Sequence, residues 1–415
     1  MRRPAGKQRM SLAEAPIVLM LVGLAAYAVL GGADFGAGFW QLLGGRGERD
    51  RELREHAHHA MGPVWEANHV WLIFVLVVCW TAYPVAFGSI TSTLAIPLFI
   101  GGIGIILRGT AYAMRSGAAS PREERRIEIG FACSSILTPF ALGAVIGGIA
   151  SGRVPVGNAE GDLVTSWLNP TSIALGFIAI ATSAYLAAVY LAADAVRVGK
   201  PELEEAFRKR ALGMAVVAGA AAIVGLAVVR NDAPRIWDGL TSGSGLVAVI
   251  VSALAGAATI AFVAGRRYGP ARVTAATAVG AIVAGWGLAQ RPQFLPGLTI
   301  EQAAAGRSVL IATLVALGLG ALILLPSLGL LYSLLLRGHF DEGAAPRSAG
   351  RSETAPRTGN LLPAVGVCLI VGLAATMPVT SAWGRIIGIP FLLAFIALGF
   401  VAIATAMSTA AKDDR

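Results

Sequence analysis

Few ionisable side chains interrupt the long apolar blocks of this sequence, and chemistry must be sought at those few. Asp34 lies in the first block, Glu66 and His69 open the second, Arg108 comes late in the third and Asp194 late in the fifth. Inside a bilayer such a group costs several kcal/mol unless it faces protein or water, so each is a functional candidate. Glu66 and His69 are three residues apart and share one face of a helix, with Trp65 and Asn68 as the adjoining pair. A carboxyl beside an imidazole can pass a proton, because burial raises a carboxyl pKa toward that of imidazole. Blander roles fit the same residues. His69 serves equally as a core histidine, Trp65 and Trp71 as interfacial anchors, Asp34 and Arg108 as a structural ion pair, and Asp194 as a group reaching the interface.

The string Gly31-Gly32-Ala33-Asp34-Phe35-Gly36-Ala37-Gly38 follows no strand, which excludes a dinucleotide fingerprint. Its small residues at 32, 36 and 38 instead let another helix approach closely and leave room around the Asp34 carboxylate. His56, His58 and His59 form a charged loop cluster that is a weak metal candidate, and no metal site is expected. Only His69 lies in a span, so the chain cannot offer two facing intramembrane histidines to a haem. Cys79, Cys133 and Cys368 lie in apolar blocks without CxxC spacing and read as small core residues.

The elements that must position these groups follow from composition. Of 415 residues, 56% are hydrophobic and 14% charged, against about 25% charged in soluble domains, and mean hydropathy is +0.70. The expected fold is all-α: a polytopic transmembrane helical bundle, which excludes soluble enzymes, nucleic-acid modules and β-barrels. Apolar blocks place spans near 16–43, 64–85, 91–113, 127–150, 171–196, 211–229, 245–264, 271–290 and 308–336, then 361–378 and 387–408. The short turn between 64–85 and 91–113 predicts antiparallel neighbours. About 11 spans result: a basic tail at 1–15, a nine-span core at 16–337, a cytoplasmic linker at 338–360 and two additional helices at 361–410.

The net charge of +9 resides largely in loops, where Lys and Arg fix topology. Loops after odd-numbered spans carry 20 of them and those after even-numbered spans 6. That places the odd loops in the cytoplasm and the N-terminus outside, although Arg2, Arg3, Lys7 and Arg9 argue the reverse. With this orientation Asp34, Glu66, Arg108 and Asp194 all fall in the cytoplasmic half, as a proton or cation entry path would require.

These strings, in this order, resemble subunit II of the cytochrome bd-type quinol oxidases. The matching pieces are Gly32 to Gly38, Trp65-Glu66-Ala67-Asn68-His69-Val70-Trp71-Leu72, Leu107-Arg108-Gly109-Thr110-Ala111-Tyr112 through Arg115, Leu168-Asn169-Pro170, and Phe294 to Ile300. The likeness covers about residues 16–337. It implies a heterodimer in the cell membrane with a subunit I that carries haems of b and d types and oxidises quinol. The complex would reduce dioxygen to water with cytoplasmic protons, in a respiratory chain. This chain would supply stability, proton delivery and gas access, with no catalytic group or tightly bound cofactor of its own. The family's acid after the first Trp of the second span is usually Asp and borders a proton channel; here it is Glu66. Trp71 falls near the family's proposed oxygen entry.

Two departures stand out. The family often has a second Asp three residues before the one matching Asp34, and that position is Gly31. The spans at 361–408 are additional to the nine-span pattern and either replace a small accessory subunit or pad the lipid face. A stand-alone secondary transporter is the rival class, since it too uses midplane acids and glycine-broken helices.

Overall fold

The computed structural model describes residues 11–43, 48–61, 65–115, 121–336 and 362–376, with a few helical residues between 390 and 398. The chain divides into two compact units, residues 1–341 and 342–415. In the second unit the main described element is a helix, Leu362–Thr376. The expected linker at 338–360 and nearly all of the span expected at 387–408 lie outside the described residues.

The first unit is helical almost throughout. In chain order it comprises α1 (Ala15–Ala26), a wide π turn (Tyr27–Gly31), α2 (Gly32–Leu43), α3 (Glu48–Met61), α4 (Trp65–Ala82) and α5 (Pro84–Thr93). Then come α6 (Ala95–Arg115), α7 (Pro121–Ala150), α8 (Pro170–Arg197), α9 (Pro201–Asp232), α10 (Pro234–Leu240), α11 (Gly243–Ala264) and α12 (Tyr268–Gln290). A short hairpin, β1 (Gln293–Leu295) and β2 (Leu298–Thr299), leads into α13 (Ile300–Ala303) and α14 (Arg307–Leu336). Seven of these helices are long and apolar enough to cross a membrane, eight if the bent pair α5 and α6 forms one span, and α4 adds a shorter apolar stretch, Asn68–Ala82. The described residues therefore carry the all-α membrane architecture without fixing a count of eleven.

Local sequence sets the helix ends. Asn169 caps α8 by accepting from the Ser172 amide at 2.9 Å, and Pro170 follows at the position where a missing N–H costs nothing. Thr299 and Gln302 form a reciprocal capping box at α13. Between β1 and β2, Gly297 takes φ +76, a left-handed turn conformation open to glycine. These features account for two of the motif strings, Leu168 to Pro170 and Phe294 to Ile300.

Three expectations are corrected. The connection between the second and third apolar blocks is not a bare turn. Pro84, which cannot donate to the ladder, starts the separate helix α5, and the chain turns by 84° before α6. As a result α4 packs on α1 and α14 while α6 packs chiefly on α7, so they are not the antiparallel pair expected. The histidine cluster is likewise not on a loop, since residues 48–61 form α3. Cys133, expected in the core, is exposed.

α2 lies between α7 and α8. A Cβ on Gly36 would fall 1.9 Å from the Ser183 carbonyl oxygen of α8, so only glycine permits that approach. The Trp40 indole donates to the Ala184 carbonyl at 2.9 Å and ties the same two helices. Beyond the contact lies an alanine-rich core containing Ala33, Ala37, Ala187, Ala188 and Ala271. A second core gathers Met20, Val78, Tyr83, Phe294 and Leu295 around α1, α4 and the hairpin.

Candidate functional site

Asp34 and Arg108 meet inside the bundle, with side chains 2% and 3% exposed. The Arg108 guanidinium binds as a fork: Nε donates to Oδ2 at 3.1 Å and Nη2 to Oδ1 at 2.6 Å. Nη2 also donates to the Asp34 carbonyl at 2.8 Å. Nη1 donates to Ser135 Oγ at 2.5 Å, and that hydroxyl in turn donates to the Phe131 carbonyl at 2.7 Å. The cation lies 4.1 Å from the Phe131 ring centroid and 5.1 Å from that of Phe35. A buried pair survives desolvation only when its remaining hydrogen-bonding capacity is met, and here residues of three helices take four of the five guanidinium donors.

Glycine spacing makes the pocket. A Cβ on Gly38 would lie 2.0 Å from Ser135 Oγ and 3.0 Å from Arg108 Nη1, so the small residue leaves space for the guanidinium to reach its hydroxyl. The expected role of positions 36 and 38 is thus met by two different neighbours, Ser183 on α8 and Ser135 on α7.

α4 approaches the same region from the other side. Asn68 is buried and its Nδ2 donates to the Leu30 carbonyl at 3.2 Å, within the π turn whose altered ladder needs outside partners. The His69 ring meets Tyr27 edge-on at 6.1 Å and Phe35 at 6.0 Å. Trp71 is half-buried, with its ring 6.4 Å from Phe74. Trp65 and Glu66 form the start of α4, one turn before His69, and their side chains lie outside the described residues. The structure therefore brings Asp34, Arg108, Asn68 and His69 to one site.

Asp194 belongs elsewhere. It pairs with Arg197 at 2.9 Å and lies 3.8 Å from His56. Ser183 marks the level of α2 on α8, and eleven residues on, at 1.5 Å each, Asp194 is about 16 Å further along the helix. His56 is buried and its Nε2 lies 3.1 Å from the Leu191 carbonyl; because a carbonyl only accepts, Nε2 is the donor. Burial lowers the His56 pKa, opposed by that carbonyl and by Asp194. His56 thus anchors α3 to the end of α8. No group of three His, Cys, Asp or Glu side chains suited to a metal occurs among the described residues, and the side chains of His58 and His59 lie outside them.

Sequence reasoning missed Tyr27, Phe131 and Ser135. Tyr27 stands seven residues before Asp34, a two-turn helical spacing that could have drawn attention to it. Ser135, four residues before Pro139, sits where a proline leaves the helix ladder incomplete.

The family described as cytochrome bd terminal oxidase subunit II matches residues 12–335. A Bacillus subtilis (strain 168) protein provisionally named cytochrome bd menaquinol oxidase subunit II is 26% identical over 52% of this chain and 61% of its own length. Cytochrome bd-I ubiquinol oxidase subunit 2 of Escherichia coli (strain K12) is 24% identical over 32% of this chain and 35% of its own. The matched segments therefore span less than two thirds of these relatives. Among solved structures, a chain of the bd oxidase from Geobacillus thermodenitrificans superposes with a TM-score of 0.67 at 23% identity, over 79% of this chain and 99% of that one, and shares the fold. An integral membrane bundle with these motifs in this order, matched across most of its length, is a member of the cytochrome bd terminal oxidase subunit II family.

Proposed function

We propose that this chain is the non-haem subunit of a quinol oxidase in the cell membrane, paired as a heterodimer with a subunit that carries the haems and oxidises quinol. The complex reduces dioxygen to water, and this subunit stabilises it and delivers cytoplasmic protons. Family membership supports the reading and does not favour a stand-alone transporter. In this reading the N-terminus lies outside, as the excess of Lys and Arg in the odd-numbered loops requires.

The carrying observation is the convergence of His69 and Asn68 on α4 with the buried Asp34–Arg108 pair on α2 and α6. Protons enter at Glu66, in the first turn of α4, and pass by His69. Asp34 and Arg108 fix the local charge along the route, because both Asp34 oxygens are already held by the guanidinium. Trp65 and Trp71 border the route for oxygen. The haems are assigned to the partner, since His69 is the one histidine in an apolar block and two facing intramembrane histidines are not available from this chain.

Replacing Glu66 by Gln and by Ala in the assembled complex tests the proton role. Turnover in oxygen reduction should fall while the two subunits still co-purify with their haem spectrum. Full turnover in both variants overturns it.

A further inference from the structure

Tyr27 is buried at 6% exposure, and its hydroxyl has no hydrogen-bond partner among the described residues. A phenol both donates and accepts, so a structure rarely leaves one dry and unpaired. Polar groups adjoin it: the His69 ring lies 6.1 Å away, and Phe35, whose ring lies 5.1 Å from the Arg108 guanidinium, is the other aromatic neighbour. The Phe35 ring is 6.4 Å off and edge-on.

The backbone holds Tyr27 at this junction. The Gly32 amide reaches back to the Tyr27 carbonyl across the π turn, and Asn68 of α4 takes the Leu30 carbonyl within the same turn. At Gly31 a Cβ would lie 2.9 Å from the Tyr27 ring, so the absence of a side chain there lets the ring lie across the helix. At Gly32 the nearest atom to such a Cβ is Ser183 Oγ at 3.4 Å, ordinary contact distance.

We propose that Tyr27 is a positioning residue whose hydroxyl holds a buried water between His69 and the Asp34–Arg108 pair. That water is the polar step from α4 to α2, in the region where Gly31 supplies no acid. The inference rests on the proton-delivery reading above for its functional part, and stands on the unpaired hydroxyl for the water itself.

A density map of the complete oxidase, at a resolution that shows ordered water, tests the site directly. A water within hydrogen-bond distance of Tyr27 Oη, also touching His69 or Asp34, is expected. An empty surrounding, or a partner-subunit side chain bonded to Oη, overturns the proposal whatever the kinetics show. Tyr27→Phe, which removes only the hydroxyl, should then keep assembly and haem spectrum. It should slow oxygen reduction about fivefold, the rate equivalent of one hydrogen bond, and enlarge the solvent deuterium isotope effect. Unaltered turnover and isotope effect in Tyr27→Phe, with Glu66→Gln slowed, leaves proton delivery intact and removes Tyr27 from it. Unaltered turnover in Glu66→Gln instead strikes the delivery reading, and the map alone then decides the water.

Discussion

α8 and α14 are both long apolar helices, yet 56% of the membrane-crossing window of α8 is buried in the protein against 6% for α14. Mean hydropathy runs the other way, 1.9 for α8 and 2.6 for α14. The difference lies in side-chain size. α8 carries Ser183, Ala184, Ala187, Ala188 and Ala192 at its contacts, where helices in lipid can approach closely. α14 is rich in leucine and leaves Leu319, Leu322 and Leu325 exposed. Lipid is as apolar as leucine, so hydrophobicity inserts both helices but packs only one. Close backbone approach and buried polar contacts define the interior.

The contrast can be broken most severely at Gly36. In Gly36→Leu the new side chain meets a backbone carbonyl that cannot rotate away. The cost should exceed the ~1–3 kcal/mol of ordinary overpacking, with loss of folded subunit from membranes, scored by detergent-resistant fluorescence of a tagged chain. Gly318 in α14 has nothing within 4 Å of its Cβ position, and the same substitution there should leave yield unchanged.

Next is Arg108→Met. It strands the Asp34 carboxylate in the interior and should destabilise by ~3–5 kcal/mol, seen as a large drop in thermal unfolding midpoint. Adding Asp34→Asn should recover part of that loss. If the double variant is no more stable than the single, the carboxylate is not the source of the penalty.

A smaller effect is expected at His56. Its pKa is lowered in the folded state by burial, so the unfolded chain binds the proton more tightly. Its contribution is fully present above the unfolded pKa, about 6.5, and is lost as pH falls through the lower folded value. Burial is the main cause, the Leu191 carbonyl and Asp194 oppose it, and Lys200 and Arg197 add to it. Unfolding midpoints measured from pH 8 to pH 5 should decline, and His56→Gln should flatten the decline after losing ~1 kcal/mol with its hydrogen bond.

The smallest change is expected for Leu322→Ala, on the exposed face of α14. Stability of the isolated chain should shift by less than ~0.5 kcal/mol. A larger shift would show that the helix is packed on something other than lipid.

How much of this was legible in the sequence follows the same division. Asp34 and Arg108 announced themselves because charge inside an apolar block needs a reason, and Gly36 and Gly38 because a glycine cluster beside an acid implies close packing. Ser135 did not, because a serine in a membrane helix ordinarily bonds its own preceding carbonyl and only the fold adds Arg108. Neither did Pro84, because it falls inside the apolar block 64–85, and the helix it starts reads as the end of that block. His56 sits in a charged string that reads as solvated, and its burial depends on Leu191, 135 residues away. The π turn has no marker in residue types, since Tyr27 to Gly31 would suit an ordinary helix.

That turn has a geometric consequence for the first span. One surplus residue in a helix rotates everything before it by about 100° relative to everything after. The stretch ahead of Tyr27 is thereby aimed at α4, α12 and α14, while the stretch beyond Gly31 addresses α7 and α8. A single membrane crossing serves two neighbourhoods out of phase with each other, and excising one residue from the turn would bring one of them out of alignment.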